Sequence, residues 1–144
     1  MEIKMDREAI QSVIPHRDPF LLIDGVIEMS DRTIKGFKNV HPSEPYFKGH
    51  FPGRPVMPGV LMIEAMAQLG GVLMLSKSEN KGKIAYFASI MSARFRRVVV
   101  PGERLDMEVE LVKLKSRVGL TKGIAKVGGE VACEAEMMFS MADK

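Results

Sequence analysis

Between Pro55 and Ser76 the chain carries one charged side chain, Glu64, and no other stretch limits the fold so strongly. The residues of this run are apolar on all sides at helical spacing, so a helix here is expected to be buried all round rather than to lie amphipathic on a surface. The run approaches the length of about 20 apolar residues that spans a bilayer. Against a span stand Glu64, Gln68, the pair Gly70-Gly71 and Pro58 near its start, which favour the central helix of a soluble domain. A carboxyl group in such surroundings is costly unless it is protonated, paired or used.

Just upstream, residues 49–59 read Gly-His-Phe-Pro-Gly-Arg-Pro-Val-Met-Pro-Gly. Pro52, Pro55 and Pro58 each fix their own φ, which stiffens the loop that carries His50. Pro58 is expected as the first helical residue, where a missing N–H costs nothing. The first free amides after it, those of Gly59 and Val60, sit at the positive end of the helix dipole. Gln68 follows Glu64 by four residues, hence on the same helical face, where it can hold the carboxyl group. A histidine on a rigid loop, a lone buried glutamate and a helix N-terminus are the parts of an acid–base site.

The flanking sequence predicts strands. Leu105, Met107, Val109 and Leu111 alternate with Asp106, Glu108 and Glu110, and residues 130–141 alternate in the same way, the period of half-buried strands. Gly128-Gly129 signals a hairpin and Pro101-Gly102 a turn. Earlier in the chain, Asp6 is positioned to cap a short helix bearing Ile10, Val13 and Ile14, ended by Pro15. Phe20 to Met29 reads as a strand interrupted at Asp24-Gly25, and Thr33 to Val40 as a second strand. After the long helix, Lys77 to Lys83 reads as a polar loop. One buried helix with several one-faced strands implies α+β, an antiparallel sheet wrapped round that helix.

The 144 residues suit one domain, residues 1–144, with a core that needs no staples. Cys133 is alone, which excludes a disulfide framework and a Cys-type metal site and fits a reducing compartment. His16, His41 and His50 lack ligand-like spacing, so no metal is expected. The first residues form no signal peptide, which makes the cytoplasm the default address, or an organelle stroma if a targeting segment was removed. A net charge of +3 names no partner. Arg94, Arg96 and Arg97 around Phe95 form the densest basic cluster, too small and too poor in aromatic residues to argue for nucleic acid.

The stretch Gly-His-Phe-Pro-Gly-Arg-Pro-Val-Met-Pro-Gly-Val-Leu-Met-Ile-Glu-Ala-Met-Ala-Gln-Leu-Gly-Gly resembles the signature of the FabZ-type (3R)-hydroxyacyl-[acyl-carrier-protein] dehydratases. Pro15-His16-Arg17 with residues 19–22, then Glu44-Pro45-Tyr46-Phe47, then residues 94–97 match in the same order. The resemblance implies the hot-dog fold, with the sheet as bun and the central helix as sausage. It further implies dehydration to a trans-2-enoyl thioester in type II fatty acid biosynthesis, with lipid A biosynthesis a second route for such products. By resemblance His50 is the base and Glu64 the general acid or the carboxyl that holds a water. Gly59 receives the thioester carbonyl, with Val60 and Gln68 beside the substrate. Arg96 and Arg97 meet the acidic acyl carrier protein and its phosphopantetheine phosphate. No cofactor is implied. The family forms homodimers that assemble to a hexamer and builds each site from the His of one subunit and the Glu of the other.

His16 reads as a structural member of its motif, and His41 as a solvated loop residue. The chain departs from the family pattern at Asp18, Ser43, Met91 and Val98, none of them in the acid–base pair. Three other readings compete: a dehydratase that also isomerises its product, which typically carries Asp where Glu64 stands; a hot-dog thioesterase; and a non-catalytic acyl-binding or dimerisation module, which would have no need of a buried carboxyl.

Overall fold

The computed structural model describes residues 2–144. Among these, two α-helices, α1 (Arg7–Gln11) and α2 (Gly59–Leu75), accompany six strands: β1 (Gly25–Met29), β2 (Thr33–Asn39), β3 (Ile84–Phe95), β4 (Arg104–Lys115), β5 (Val118–Val127) and β6 (Glu130–Ala142). The strands form one sheet in the order β1-β2-β4-β5-β6-β3, and every neighbouring pair is antiparallel. Across one face of that sheet lies α2, touching β2, β3, β4, β5 and β6.

Period two in the sequence becomes burial in the sheet. Leu105, Met107, Val109 and Leu111 of β4 and Met137, Phe139 and Met141 of β6 point to α2, while Asp106, Glu108 and Glu110 of β4 face water. From α2 come Met62, Met66, Leu69, Val72, Leu73 and Met74, all buried; burying side chains of this size contributes about 1.5–3 kcal/mol each. Close approach is possible because glycine lies beneath the helix. A Cβ on Gly36 would stand 2.8 Å from Leu69 Cδ1, and one on Gly123 2.9 Å from Met66 Sδ. The Gly128-Gly129 hairpin has both residues at positive φ, 56° and 83°, joining β5 to β6. Asp6 does cap α1, its Oδ1 accepting from Ala9 N at 2.9 Å.

Four expectations need correction. The segment of residues 20–24 is not strand: Leu22 N and Phe20 O bond to the Gln68 side chain, so residues 20–22 pack on α2. The sheet is met only at Asp24, whose N donates to Phe37 O of β2 at 2.8 Å, and β1 begins at Gly25. Pro58 is not the first helical residue but the N-cap, with ψ at 130° and its carbonyl accepting from Leu61 N. Burial of α2 on every side holds from Ala65 onward but not in the first turn, where Val60 is 68% exposed and lines a cavity. The fourth correction is β3, a 12-residue edge strand most of which, residues 84–93, carries no predicted element. Its apolar residues do not alternate with polar ones, so period two is absent from its sequence.

Candidate active site

The loop of residues 44–58 delivers His50 to the N-terminus of α2. Glu44 opens a short 3-10 helix, Pro45–Lys48, and Tyr46 O at its centre accepts from His50 N at 3.1 Å. Underneath, Lys38 of β2 is buried and ion-paired with Glu44. The second Glu44 oxygen accepts from Tyr46 OH at 3.0 Å and His41 N at 3.1 Å. Burial and the adjacent Glu44 carboxylate push the Tyr46 phenol far above its ordinary value, so its hydroxyl stays a donor. His50 Nδ1 lies 2.7 Å from Val56 O, and Val56 N donates to His50 O at 2.9 Å, a reciprocal clasp across the proline-rich turn. Ring stacking with Phe51, centroids 4.0 Å apart, covers one face of the imidazole.

His50 borders a cavity of about 630 Å³ with Phe51, Met57, Gly59, Val60, Met62 and Phe95. Its walls are mainly apolar, and the first turn of α2 forms part of its lining. Met57 N donates to Val99 O, and Leu61 N to Pro58 O, so the amides of Gly59 and Val60 belong to the turn that has no acceptor within a helix. Phe95 lies directly over Gly59: a Cβ there would come within 2.8 Å of Phe95 Cδ1 and Cε1. Arg96 and Arg97 stand at the same cavity, yet both already have carboxylate partners. Arg96 pairs with Glu134; Arg97 pairs with Glu103 at 2.8 Å and Glu130 at 3.6 Å. A backbone bond from Val100 N, with Arg97 behind it, holds the Glu103 carboxyl below its ordinary range.

Glu64 is not in that cavity. It borders a separate cleft of about 30 Å³ with Ile14, Pro15, His16, Gln68, Ala85, Phe87 and Phe139. Gln68, 2% exposed, donates from Nε2 to Glu64 Oε2 at 3.0 Å and to Phe20 O at 2.8 Å, while its Oε1 accepts from Leu22 N at 2.8 Å. Its amide is therefore spent within the chain, on Glu64 and the neighbouring segment. His16 Nε2 approaches the same Glu64 oxygen to 3.6 Å, a contact between residues 48 positions apart that no local pattern announces. The only signal was membership of the Pro-His-Arg piece. His41 is exposed and bonded to Ser43 Oγ at 2.7 Å, away from both concavities.

Among the described residues, no three His, Cys, Asp or Glu side chains converge as a metal site requires. No helix among them is long and apolar enough to cross a membrane.

A family model described as the FabA-like domain matches residues 14–136. The chain is 50% identical, over 97% of its own length and 98% of the relative's, to the 3-hydroxyacyl-[acyl-carrier-protein] dehydratase FabZ of Bacillus licheniformis. It is 56% identical to the protein of the same name from Pelotomaculum thermopropionicum, covering 95% of this chain and 99% of that one. Among solved structures, the dehydratase heterocomplex from Xenorhabdus doucetiae superposes with a TM-score of 0.73 at 24% identity, over 94% of this chain and 91% of that one. A mutant thioesterase from Pseudomonas aeruginosa gives 0.72 at 13% identity, over 96% and 95%. These two structural likenesses establish the fold: antiparallel strands wrapped round one helix, the hot-dog arrangement.

Proposed function

This chain belongs to the FabA-like family and, within it, to the FabZ-type 3-hydroxyacyl-[acyl-carrier-protein] dehydratases; on that premise we propose that it removes water from (3R)-hydroxyacyl thioesters of acyl carrier protein through His50 and Glu64. One observation carries the assignment of the base. A carbonyl oxygen only accepts, so the bond between His50 Nδ1 and Val56 O puts the ring hydrogen of neutral imidazole on Nδ1. Nε2 then keeps its lone pair in a ring that lines an apolar cavity at a helix N-terminus.

The steps balance without a redox group. His50 Nε2 takes the C2 proton, and charge gathers on the thioester oxygen, where the amides of Gly59 and Val60 stabilise it. The C2 electron pair closes the C2–C3 double bond as the C3–O bond breaks. Glu64 gives its proton to the departing hydroxyl, and water leaves. With Oε2 accepting from Gln68, that proton is carried on Oε1.

His50 and Glu64 border different concavities of one chain, so the working site needs a second copy. The edge strand supports this. Tyr86, Phe87, Ile90, Met91 and Phe95 of β3 are all exposed, and a long apolar edge strand of this kind is an aggregation liability unless it is paired. The His50 cavity adjoins the Phe95 end of β3, and the Glu64 cleft adjoins its Ala85 and Phe87 end. Antiparallel pairing of two β3 strands about their midpoint brings one end against the other, and so His50 of one copy toward Glu64 of its partner. Arg96 and Arg97 then flank the mouth of the cavity, where the carrier protein and its phosphate approach. The hexamer, a trimer of such dimers, and the cytoplasmic address rest on family likeness alone.

The test follows the absorbance of the enoyl thioester with 3-hydroxybutyryl-acyl carrier protein as substrate. Wild type interconverts hydroxyacyl and enoyl forms; His50→Ala and Glu64→Gln each lose the activity. Equal mixing of the two inactive variants, after dissociation and reassembly, restores about a quarter of wild-type turnover, since half the dimers are mixed and each holds one intact site of two. No recovery from a mixture shown to contain mixed dimers refutes the shared site. Wild-type turnover in either single variant refutes that residue's role.

A further inference from the structure

The Pro15-His16-Arg17 piece has no part in the chemistry just described, yet the structure builds it with care and aims it at Glu64. Pro15 follows the end of α1, and the Arg17 guanidinium then gathers three carbonyls, donating to Gln11 O at 3.1 Å, Ile14 O at 3.0 Å and His16 O at 2.7 Å. This clamp sets the backbone that presents His16 toward α2. On one side the imidazole stacks with Phe20, ring centroids 6.5 Å apart and nearly parallel. Phe20 O is in turn held by Gln68 Nε2, the same nitrogen that donates to Glu64 Oε2. His16, Phe20, Gln68 and Glu64 thus form one closed group.

Within that group, His16 Nε2 faces Glu64 Oε2 at 3.6 Å, and His16 Nδ1 is buried with no hydrogen-bond partner among the described residues. A buried N–H lacking an acceptor is the costlier of the two ways to leave a ring nitrogen unpaired. The neutral ring therefore carries its hydrogen on Nε2, toward the carboxyl group. At 3.6 Å this is attraction rather than a formed hydrogen bond, whose range is about 2.7–3.2 Å. A movement of Glu64 by about half an ångström toward His16 would complete it.

We propose that His16 is a positioning residue for Glu64: together with Gln68 it engages Oε2 and so reserves Oε1 for the leaving hydroxyl. The inference rests on the reading of Glu64 as the acid. Without the His16 hydrogen, Oε2 has one donor instead of two directed at it, and the carboxyl group can rotate away from the orientation that suits proton transfer. Loss of orientation lowers turnover, since small misplacements of a reacting group cost up to about 100-fold. His16 stands beside Glu64 in the cleft that completes the site, not in the His50 cavity that takes the acyl thioester, so its loss falls mainly on kcat.

The experiment compares His16→Phe, His16→Gln and His16→Ala, each alone and on the Glu64→Gln background, by kcat, KM and thermal melting with 3-hydroxybutyryl-acyl carrier protein. His16→Phe keeps a ring for Phe20 and lacks a donor; His16→Gln restores an N–H near the position of Nε2. The expected result is a fall in kcat of about 10-fold for His16→Phe with KM within about 2-fold, and recovery to within about 3-fold of wild type for His16→Gln. On the Glu64→Gln background, His16→Phe adds less than about a 2-fold loss to the residual turnover. Should His16→Phe fail to fold, His16→Ala against His16→Gln gives the same comparison. Wild-type kcat in folded His16→Phe or His16→Ala overturns the proposal. So do equal losses in the Gln variant and the donor-free variant, or an undiminished loss on the Glu64→Gln background. If Glu64→Gln alone keeps full turnover, the reading of Glu64 falls and takes this inference with it; an inactive Glu64→Gln beside a fully active His16→Phe overturns only the role of His16.

Discussion

Replacing Gln68 with Leu keeps the volume of the side chain and deletes three hydrogen bonds, so the outcome isolates the polar contribution of one buried amide. Leu22 N lies in a buried setting and loses its acceptor, Gln68 Oε1 at 2.8 Å. An unsatisfied buried donor costs about 1–3 kcal/mol. Phe20 O and Glu64 Oε2 lose the Nε2 donor but sit in partly buried settings where water can replace it, at about 0.5–1 kcal/mol each. The sum is about 2–5 kcal/mol, offset in part by a leucine that suits an apolar helix face. Urea unfolding at fixed protein concentration, since self-association of the kind proposed would make apparent stability concentration-dependent, is expected to show a loss near 3 kcal/mol with an unchanged m value. In melting, that corresponds to a fall of roughly 6–12 °C for a chain of this size. Hydrogen exchange at Leu22 should rise by more than the global loss explains, because its acceptor has gone. A loss below about 1 kcal/mol with Leu22 still protected would refute the claim that Gln68 holds residues 20–22 onto α2.

Other outcomes follow from the same geometry. Burial holds the His16 pKa below its ordinary 6.5, outweighing the opposing pull of Glu64, and Arg17 lowers it further. The unfolded chain therefore binds more protons as pH falls through about 6.5, and the stability tied to neutral His16, complete above that pH, is lost as pH drops through the folded-state value. The melting temperature of wild type should fall relative to that of His16→Phe between about pH 7.5 and about pH 5; a constant difference contradicts the burial argument. Gly59→Ala sets a methyl group 2.8 Å from the Phe95 ring and forces that ring into the cavity, so kcat/KM should fall at least about 10-fold with melting changed by less than about 4 °C. Unaltered kinetics would show that the Phe95 side of the cavity is not used. The Cys133 thiol is buried, and burial pushes its pKa up to about 11, so iodoacetamide should modify the native protein at least about 100-fold more slowly than the urea-unfolded chain. Comparable rates would mean that β6 opens readily.

The isolated carboxyl group of Glu64, the proline-stiffened loop of His50 and the alternation in β4 and β6 were legible in the sequence because each is a local pattern. Glycine at 128 and 129 announced its hairpin for the same reason. The region of β3 was not legible. Its run Ala85-Tyr86-Phe87-Ala88-Ser89-Ile90-Met91-Ser92-Ala93 has no period of two, since an edge strand that awaits a partner need not oppose an apolar face to a polar one. Residues 20–24 misled for a different reason. Their apolar, strand-like composition was genuine, but a glutamine 46 residues away from Leu22 took the backbone partners that a strand would have used.

What the sequence determined by itself was the inventory and its local setting: one helix able to lie in a core, strands with one apolar face, a histidine and a glutamate in a family motif. Side-chain periodicity is written residue by residue, so it survives reading without coordinates. Only the tertiary structure decided that His50 and Glu64 border separate concavities at opposite ends of an exposed β3. It also decided that Gln68 serves Glu64 and the segment before β1 at once, and that His16 stands over the same carboxyl oxygen. Those relations depend on strand order and on how deeply α2 sits against the sheet. They are set by the packing of residues some 50 positions apart, which no local pattern records.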